Sequence, residues 1–167
     1  MNILVTGGAG FIGSHVTKAL LDTGHTVRVL DFLGPPTHNG QAPAWLDPKA
    51  ELMVGDVRNK VDWERALAGI DAVVHLAAYM DNHPDVSTYV RTNIESIALL
   101  FEVIAEKKLP IKKIVAASSQ SVYGEGKYRC AVHGEHSFGP RSEEQLRRHD
   151  WERYCPECNA IVESVPQ

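Results

Sequence analysis

The sequence predicts an α/β fold with a doubly wound parallel sheet. Three observations lead to this prediction. Short apolar runs of strand length alternate with segments whose apolar residues repeat at helical spacing. One run, residues 71–78, is continuously apolar, which is typical of a strand covered on both faces. Strands that alternate with helices in this way form parallel sheets with right-handed crossovers.

The individual elements follow from the same patterns. Apolar runs predict strands at residues 2–6, 25–31, 50–57, 71–78 and 111–119. Helical spacing predicts helices at residues 11–23, 61–70 and 84–108. On the first helix we expect one apolar face, made of Phe11, Ile12, Val16, Ala19 and Leu20. Residues 33–48 hold four prolines and are predicted to form a loop.

The pattern changes after Gly124. Residues 125–167 contain few aliphatic side chains, many charges and all three cysteines, with no clear period. We therefore predict a sheet domain at residues 1–124, truncated after its fifth strand. An irregular Cys/His-rich insertion at residues 125–167 follows it.

Composition narrows the classes of function. The formal net charge is -4 and no basic stripe runs along the chain, so we expect no nucleic-acid partner. No apolar run approaches the ~20 residues that cross a bilayer, so we expect no membrane association. The N-terminus lacks the pattern of a signal peptide, which predicts a cytoplasmic protein. In that compartment cysteines are free or metal-bound more often than paired.

A glycine-rich turn joins the first strand to the first helix. Gly7, Gly10 and Gly13 give the spacing G-x-x-G-x-x-G. Glycine permits positive φ and lets an anion approach the backbone. The helix start, at Phe11 and Ile12, adds unpaired N–H groups and the positive end of the helix dipole. This combination, typical of a Rossmann fold, predicts a site for a pyrophosphate.

An acidic residue ends the next strand. Asp31 lies 18 positions after Gly13. A carboxylate there accepts hydrogen bonds from both ribose hydroxyls of an adenosine and repels a 2′-phosphate, so NAD is favoured over NADP. The alternative is an ordinary turn residue at a strand end.

The ends of two further strands would lie beside the predicted dinucleotide site, because the carboxyl ends of parallel strands share one edge of the sheet. Asp56 and Val57 close the third strand, and Asp56 is placed to accept from an adenine amino group; alternatively it caps a helix. Leu76, Ala77 and Ala78 close the fourth strand, where small residues let a cofactor lie against the backbone. Their alternative role is close packing.

Two pairs of potential ligands, one Cys-His and one Cys-Cys, suggest a metal site. Cys130-Ala-Val-His133 and Cys155-Pro-Glu-Cys158 each separate two ligand residues by two positions, as in tetrahedral zinc knuckles. All four ligands come from the protein, so the zinc would be structural. Asn159 follows the last cysteine, where a residue tolerant of positive φ is useful. His136 and His149 are possible substitutes for His133, and three unrelated thiols in a disordered tail are the alternative.

Taken in order along residues 1–124, six motifs resemble those of the extended short-chain dehydrogenase/reductases. They are TGGAGFIGSH, Asp31, GDVRN, HLAA, Thr92-Asn93 and SSQSVYG. Within that family they are similar to NAD-dependent nucleotide-sugar epimerases and dehydratases. The resemblance implies a Rossmann fold, tightly held NAD, a nucleotide-sugar substrate and chemistry at the sugar C4.

The resemblance also implies roles for three residues. Ser119 matches the family's catalytic serine, which hydrogen-bonds the sugar hydroxyl that is oxidised. Ser118 would line the nicotinamide side, and Asn93 matches an asparagine near the active site. From the residues alone, Ser119 is equally a strand-end serine that ties down the next loop.

One departure from the family bears on activity. The family's base is a tyrosine four residues before a lysine on one helical face. Here Tyr123 and Lys127 have that spacing, but two glycines between them argue against a helix. We therefore expect the front part of an epimerase without its base, which self-associates or dimerises through uncovered apolar surface. The alternatives are a non-catalytic NAD-binding module or remnant with a zinc-stabilised tail, and a sugar-nucleotide dehydratase.

Overall fold

A computed structural model of the chain describes residues 1–35, 37–80 and 84–166. Pro36 of the predicted loop and Gln167 of the predicted insertion lie outside these residues. The chain divides into two compact units, Met1–Ala117 and Ser118–Gln167. The division falls at Ala117 and not at residue 124, because the last strand of the first unit ends at Ala116 and the residues after it associate with the tail.

The first unit follows the predicted order of elements. Its strands are β1 Asn2–Thr6, β2 Thr26–Asp31, β3 Glu51–Val54, β4 Ala72–His75 and β5 Lys113–Ala116. Its helices are α1 Phe11–Asp22, α2 Lys60–Ala66, α3 Val86–Tyr89 and α4 Ser96–Lys107. A π-helical turn, Val90–Glu95, joins α3 to α4, so the helix predicted at residues 84–108 is interrupted.

The strands form one parallel sheet in the order β3-β2-β1-β4-β5. In the register, Thr6 lies beside Leu30 of β2 and beside His75 of β4. The chain builds outward from β1 to β3 and then returns to the opposite side of β1. The order therefore reverses between β1 and β4, which is where ligands bind in sheets of this kind. The predicted doubly wound parallel sheet is confirmed.

Each face of the sheet has its own buried cluster. Alternate residues point to opposite faces of a strand, so β1 contributes Leu4 to one cluster and both Ile3 and Val5 to the other. Helices α2 and α4 cover the Leu4 face, with Trp63 and Leu100 almost fully buried. Helix α1 and part of the loop before β3 cover the other face.

The buried face of α1 differs from the predicted one. Gly13 and Thr17 are buried, whereas Phe11 is 81% exposed and Ile12 is 65% exposed. Ala19 is also exposed. Small residues on the inner face let the helix start lie close to the glycine turn, so the large side chains of the first turn point outward. The predicted apolar face is therefore not the buried one, since Phe11, Ile12 and Ala19 are exposed.

A buried histidine connects β1, β4 and α4. His75 Nδ1 lies 2.7 Å from Thr6 Oγ1, and Nε2 lies 3.2 Å from Ser96 Oγ. The Ser96 hydroxyl donates to the Thr92 carbonyl, so it accepts from His75 Nε2–H. Nδ1 therefore accepts from the Thr6 hydroxyl, which requires a neutral imidazole. Burial lowers the pKa of His75 from 6.5 to about 4.

The second unit contains regular structure that was predicted to be irregular. Its elements are a 3-10 helix Gln120–Tyr123, strands β6 Lys127–Cys130, β7 Gly134–Ser137 and β8 Glu163–Val165, and helix α5 Glu143–Arg147. The strands form an antiparallel sheet in the order β7-β6-β8. The strands read KYRC, GEHS and ESV, so no apolar run marks them, and this explains why the sequence pattern missed them.

Within the described ranges, no helix has the length and apolar character needed to cross a membrane.

The neutral His75 makes the stability of the first unit depend on pH. Its folded pKa lies below the ordinary value, so its contribution is present above pH 6.5 and is lost as the pH falls toward about 4. A difference of this size corresponds to a loss of about 3 kcal/mol. We expect His75→Gln, measured by urea unfolding across this pH range, to lose that part of the dependence. His15→Gln, which changes an exposed histidine, serves as the control and retains it. An unchanged pH dependence in His75→Gln would contradict the assignment.

Candidate functional site

The predicted cofactor residues of the first unit gather around one cleft. Its volume is about 350 Å³. Eight predicted residues line it: Gly7, Gly10, Asp31, Asp56, Val57, Leu76, Ala77 and Ala78. Phe11, Ile12 and Gly13 follow the lining residue Gly10 in the first turn of α1, and Asn93 is hydrogen-bonded to the lining residue Tyr79. The cleft lies where the strand order reverses.

The glycines of the turn are required for different reasons. A Cβ on Gly7, which has a φ of 67°, would lie 2.8 Å from the backbone N of Ala77. A Cβ on Gly13 would lie 2.0 Å from the Gly7 carbonyl oxygen. Both residues are therefore fixed by packing within the protein. Gly10 differs, because its Cβ would meet only the Gly7 oxygen, at 3.3 Å. Gly10 is the position whose bare backbone leaves room for a ligand.

Helix α1 begins directly after this open position. Its N-cap is Gly10, and no side chain caps the helix. The first intrahelical hydrogen bond runs from Ser14 N to the Gly10 oxygen, so the N–H groups of Phe11, Ile12 and Gly13 precede it. These donors and the helix dipole favour an anion beside Gly10.

Asp31 is built into the turn. It is 9% exposed, and its Oδ2 accepts from Ala9 N while its Oδ1 accepts from Leu33 N, both at 3.0 Å. These bonds fix the carboxylate at the end of β2. A carboxylate has about four acceptor positions, so acceptor capacity remains on each oxygen for ribose hydroxyls.

Within the protein, Asp56 pairs with Arg58. Its carboxylate receives two hydrogen bonds from Arg58 Nε and one from Arg58 Nη2. Partial burial raises the pKa of Asp56, but the hydrogen bonds from Arg58 outweigh burial and hold that pKa below its usual value. The N-cap of α2 is Asn59, so the alternative that Asp56 caps this helix is wrong. The guanidinium of Arg58 lies 5.5 Å from the centre of the Phe32 ring, and both residues line the cleft.

The segment after β4 is held from two sides. Thr6 Oγ1 accepts from the N–H groups of Leu76 and Ala77, both at 3.2 Å. The Asn93 amide accepts from Tyr79 N at 2.8 Å and donates to the Tyr79 oxygen at 2.9 Å. Asn93 lies in the π-helical turn, a feature that is frequent at functional sites. Its side chain thus supports the wall of the cleft through Tyr79.

Sequence reasoning missed the loop between β2 and β3 as part of the cleft. His38 lines the cleft and is 7% exposed. Its ring lies 6.3 Å from that of Trp45, whose Nε1 donates to the Ala9 oxygen at 3.0 Å. The signal was present, because aromatic side chains in a proline-rich loop indicate packing. The loop was predicted only from its prolines.

Ser118 and Ser119 begin the second unit. Ser119 caps the 3-10 helix, since its Oγ accepts from Ser121 N at 3.1 Å. This contact matches the alternative role of tying down the next loop, and it leaves the hydroxyl proton free to donate. Tyr123 ends the 3-10 helix, whereas Lys127 begins β6. These two side chains therefore do not share a helical face.

The second unit brings the four predicted metal ligands together. The ligand atoms of Cys130, His133, Cys155 and Cys158 all lie within 4.8 Å of one another. The sulfurs of Cys130 and Cys158 are 3.7 Å apart, and His133 Nδ1 lies 3.7 Å from Cys130 Sγ and 3.4 Å from Cys155 Sγ. Tetrahedral zinc bonds imply edges of about 3.8 Å between sulfurs and about 3.5 Å from sulfur to nitrogen. The observed spacings fit that geometry.

The surroundings favour the thiolate at Cys130 and Cys155, whereas at Cys158 a backbone hydrogen bond from Ala160 lowers the pKa but is outweighed by burial and the neighbouring cysteines, so that its pKa is raised. Backbone N–H groups of His133 and Val132 lower the pKa of the Cys130 thiol from 9.0 to about 6. Burial raises the pKa of Cys155, but hydrogen bonds from the N–H groups of Glu157 and Cys158 give a net lowering. Asn159 has a φ of 57°, as predicted, and its N–H closes the knuckle onto the Cys155 oxygen at 2.8 Å.

The structure also separates the possible histidine ligands. Of the three histidines considered, His133 belongs to the four-ligand group. His136 Nε2 lies 3.7 Å from Cys155 Sγ, where it is placed as a hydrogen-bonding neighbour of a thiolate. His149 packs against Trp151, with ring centres 6.2 Å apart.

Known proteins resemble this chain in sequence. The model of the NAD dependent epimerase/dehydratase family matches residues 3–157. The dTDP-L-rhamnose 4-epimerase of Burkholderia thailandensis is 33% identical over 156 residues, which are 90% of this chain and 43% of that protein. A putative UDP-glucose 4-epimerase of Methanocaldococcus jannaschii is 35% identical over 91% of this chain and 49% of its own length. The chain thus spans less than half the length of these relatives.

A solved structure agrees in fold. UDP-glucuronic acid 4-epimerase from Bacillus cereus, in complex with NAD, has a TM-score of 0.65 and 31% sequence identity. The match covers 90% of this chain and 50% of that one. Together with the match of the family model over most of the sequence, it confirms the resemblance noted from the motifs. The chain belongs to the NAD-dependent epimerase/dehydratase family.

Proposed function

We propose that the first unit binds NAD and that the chain is part of a nucleotide-sugar 4-epimerase. The observation that carries the proposal is the open backbone at the start of α1. A Cβ on Gly10 would meet one atom of the described residues beyond its chain neighbours, the Gly7 oxygen at 3.3 Å, and no side chain of those residues caps the helix. A pyrophosphate beside Gly10 would accept hydrogen bonds from the free N–H groups of Phe11 and Ile12. The relatives named above are 4-epimerases, and one solved relative holds NAD.

The remaining residues of the cleft have matching roles in this proposal. Asp31 accepts from the adenosine ribose and disfavours a 2′-phosphate, which selects NAD over NADP. Asp56 and Val57 lie at the end of the cleft that would hold the adenine ring. Arg58 and Phe32 form part of the wall there. The cofactor lies on the segment after β4, formed by Leu76, Ala77 and Ala78. Hydrogen bonds to Thr6, and from Tyr79 to Asn93, fix the position of this segment.

The reaction would be an oxidation and a reduction at one carbon. When held by the residues of the cleft, NAD would supply hydride transfer at C4 of the sugar, which allows that centre to be inverted. In this proposal Ser119 donates a hydrogen bond to the oxygen at C4, and Ser118 lies on the nicotinamide side. The proton of the C4 hydroxyl requires a base, and Tyr123 and Lys127 are not arranged as the family's helical pair.

That last observation favours a second candidate function. With Tyr123 and Lys127 on different elements, these 167 residues would bind NAD without turning over a sugar. A non-catalytic NAD-binding module then remains the alternative. A test with nucleotide sugars separates it from the epimerase.

A zinc ion is the second cofactor of the proposal. Its ligands would be Cys130, His133, Cys155 and Cys158. The distance between the Cys130 and Cys158 sulfurs and the distances from His133 Nδ1 to the Cys130 and Cys155 sulfurs suit a tetrahedral ion. Four protein ligands leave no open position, so the zinc would be structural. Self-association also stays a prediction, supported by the exposed side chains of Val90, Ile94 and Phe101 on the helical segment 86–107.

NAD binding is tested by titration of Gly10→Ala. The φ of -72° at Gly10 suits any residue, and the added Cβ requires the Gly7 oxygen, 3.3 Å away, to shift by a few tenths of an ångström. It would displace the phosphates, so we expect NAD affinity to fall about 100-fold with the melting temperature nearly unchanged. Gly139→Ala, where a Cβ meets nothing within 4 Å, is the matched control and should bind NAD as the wild type does.

The same titration with NADP tests the role of Asp31. The wild type should bind NADP about 100-fold more weakly than NAD, because the carboxylate would face a phosphate. Wild-type protein that binds neither dinucleotide, or a Gly10→Ala variant that binds NAD normally, would refute the proposed site.

Catalytic competence is tested by adding nucleotide sugars to the NAD-loaded chain. An epimerase reduces bound NAD in the oxidising half-reaction, which the absorbance of the reduced nicotinamide reports. An epimerase that has its base should show a rise with at least one UDP- or dTDP-sugar, and Ser119→Ala should lose that rise. Ser121→Ala, which changes a nearby exposed serine, is the control. Tight NAD binding with no reduction by any of these sugars would support the non-catalytic module instead.

The metal site is tested by metal analysis of protein purified without a histidine tag. We expect about one zinc per chain in the wild type and in His149→Ala. In His133→Ala we expect zinc affinity to fall by about 100-fold or more, because one of four ligands is lost. Less than a tenth of an equivalent in the wild type would rule out the zinc site.

A further inference from the structure

The geometry points to a folding role for the metal: we propose that it forms the core of the second unit and thereby orders the segment 118–123, which carries Ser119. This inference rests on the zinc site of the proposed function and extends it. It concerns the second unit alone. The first unit should keep its fold and its NAD affinity whether or not the metal is present.

The buried side chains of the second unit are few. Among its described residues, 118–166, the buried ones are Cys130, Arg153, Cys155 and Val162. Two of these are metal ligands and one is charged, so Val162 is the single aliphatic side chain in this core. The partly buried Tyr128 and Phe138 pack against the same cluster. An apolar core of this size cannot offset the conformational entropy of about fifty residues.

The secondary structure of the unit cannot stabilise it either. Its strands have four, four and three residues, and its α-helix has five. Elements this short are not stable in water without tertiary support. The three cysteines are free, so no disulfide supplies that support.

The four metal ligands come from two separate segments of the second unit, a β-hairpin and a cysteine knuckle, which a bound ion would link. Cys130 ends β6, and His133 lies in the turn that leads from β6 to β7. Cys155 and Cys158 belong to a separate knuckle, closed by hydrogen bonds from Cys155 N to the Ala160 oxygen and from Asn159 N to the Cys155 oxygen. A single ion would tie the hairpin to this knuckle, and metal binding of this kind supplies folding free energy.

The serine segment depends on this framework through Glu125. Its own hydrogen bonds are local: Ser121 N donates to Ser119 Oγ, and Val122 N donates to the Ser119 oxygen. Beyond it, the Glu125 carboxylate accepts from Arg141 Nη1 at 2.8 Å and from Arg153 Nη2. Arg153 is buried two residues before Cys155. Loss of the knuckle would therefore release Glu125 and, with it, residues 118–123.

The first unit has no such dependence. Its two buried clusters contain ten and five apolar residues, built from the sheet and its covering helices. None of its residues in the described ranges 1–35, 37–80 and 84–117 belongs to the metal group. We therefore expect metal removal to unfold the second unit and to leave the first unit folded.

Hydrogen exchange of the full chain, with zinc bound and after chelation under reducing conditions, tests the proposal. We expect chelation to speed exchange at least about tenfold in β6, β7 and the knuckle, and at the amides of Ser121, Val122 and Gly124. Amides of β1, β2 and β4 should be unchanged, and NAD affinity should stay within about twofold. Added zinc should restore the original protection.

Glu125→Gln tests whether the ion pairs of Glu125 connect the metal-bound framework to the segment that carries Ser119. The variant should keep its zinc and the protection of β6 and β7, but exchange faster at Ser121, Val122 and Gly124. Glu144→Gln, which changes an exposed acidic residue paired with Arg148, is the control and should behave as the wild type does.

Each contrary result has its own meaning. A wild type without zinc would refute the metal site itself. Zinc that binds but leaves exchange in the second unit unchanged on removal would overturn its folding role alone. Unaltered exchange at residues 121–124 in Glu125→Gln would overturn the connection to Ser119.

Discussion

The close approach of Gly7 to Ala77 is the constraint on which the cleft depends. The backbone at the end of β1 lies so near the segment after β4 that a Cβ on Gly7 would be 2.8 Å from Ala77 N. This contact lies at the reversal of strand order. It places Gly10 and the start of α1 across the cleft from the segment that contains Ala77 and Ala78, whose small side chains leave room for a ligand. Thr6, from β1, and Asn93, from the π-helical turn, then hold that surface in place.

The order of elements and much of the cleft could be predicted from the sequence because their signals are local. Glycine spacing, an acidic strand end and small residues after an apolar run each occupy a few consecutive positions, as in Gly10, Asp31 and Ala77. The partner of Asp56 and the packing of His38 depend on side-chain rotamers and on a loop path, which local patterns do not encode. The outward rotation of Phe11 and Ile12 likewise follows from how closely α1 meets the turn.

The two units are stabilised by different physics. The first buries apolar residues on both faces of a sheet, with a neutral histidine as a hydrogen-bonded centre. The second has short strands, a core dominated by cysteine, and ion pairs around Glu125. The spacing of the metal ligands was readable from the sequence, because a knuckle is a local motif. The short strands that present those ligands were not, since they are ordered by contacts across the unit.

The central claim is that Gly10 and the start of α1 receive the two phosphates of NAD while Asp31 holds its ribose. A crystal structure of the chain grown with NAD tests it most directly. The account predicts phosphate oxygens within hydrogen-bond distance of the Phe11 and Ile12 N–H groups and ribose hydroxyls on the Asp31 carboxylate. A dinucleotide bound elsewhere, or a turn closed over Gly10 with no space for an anion, would contradict it.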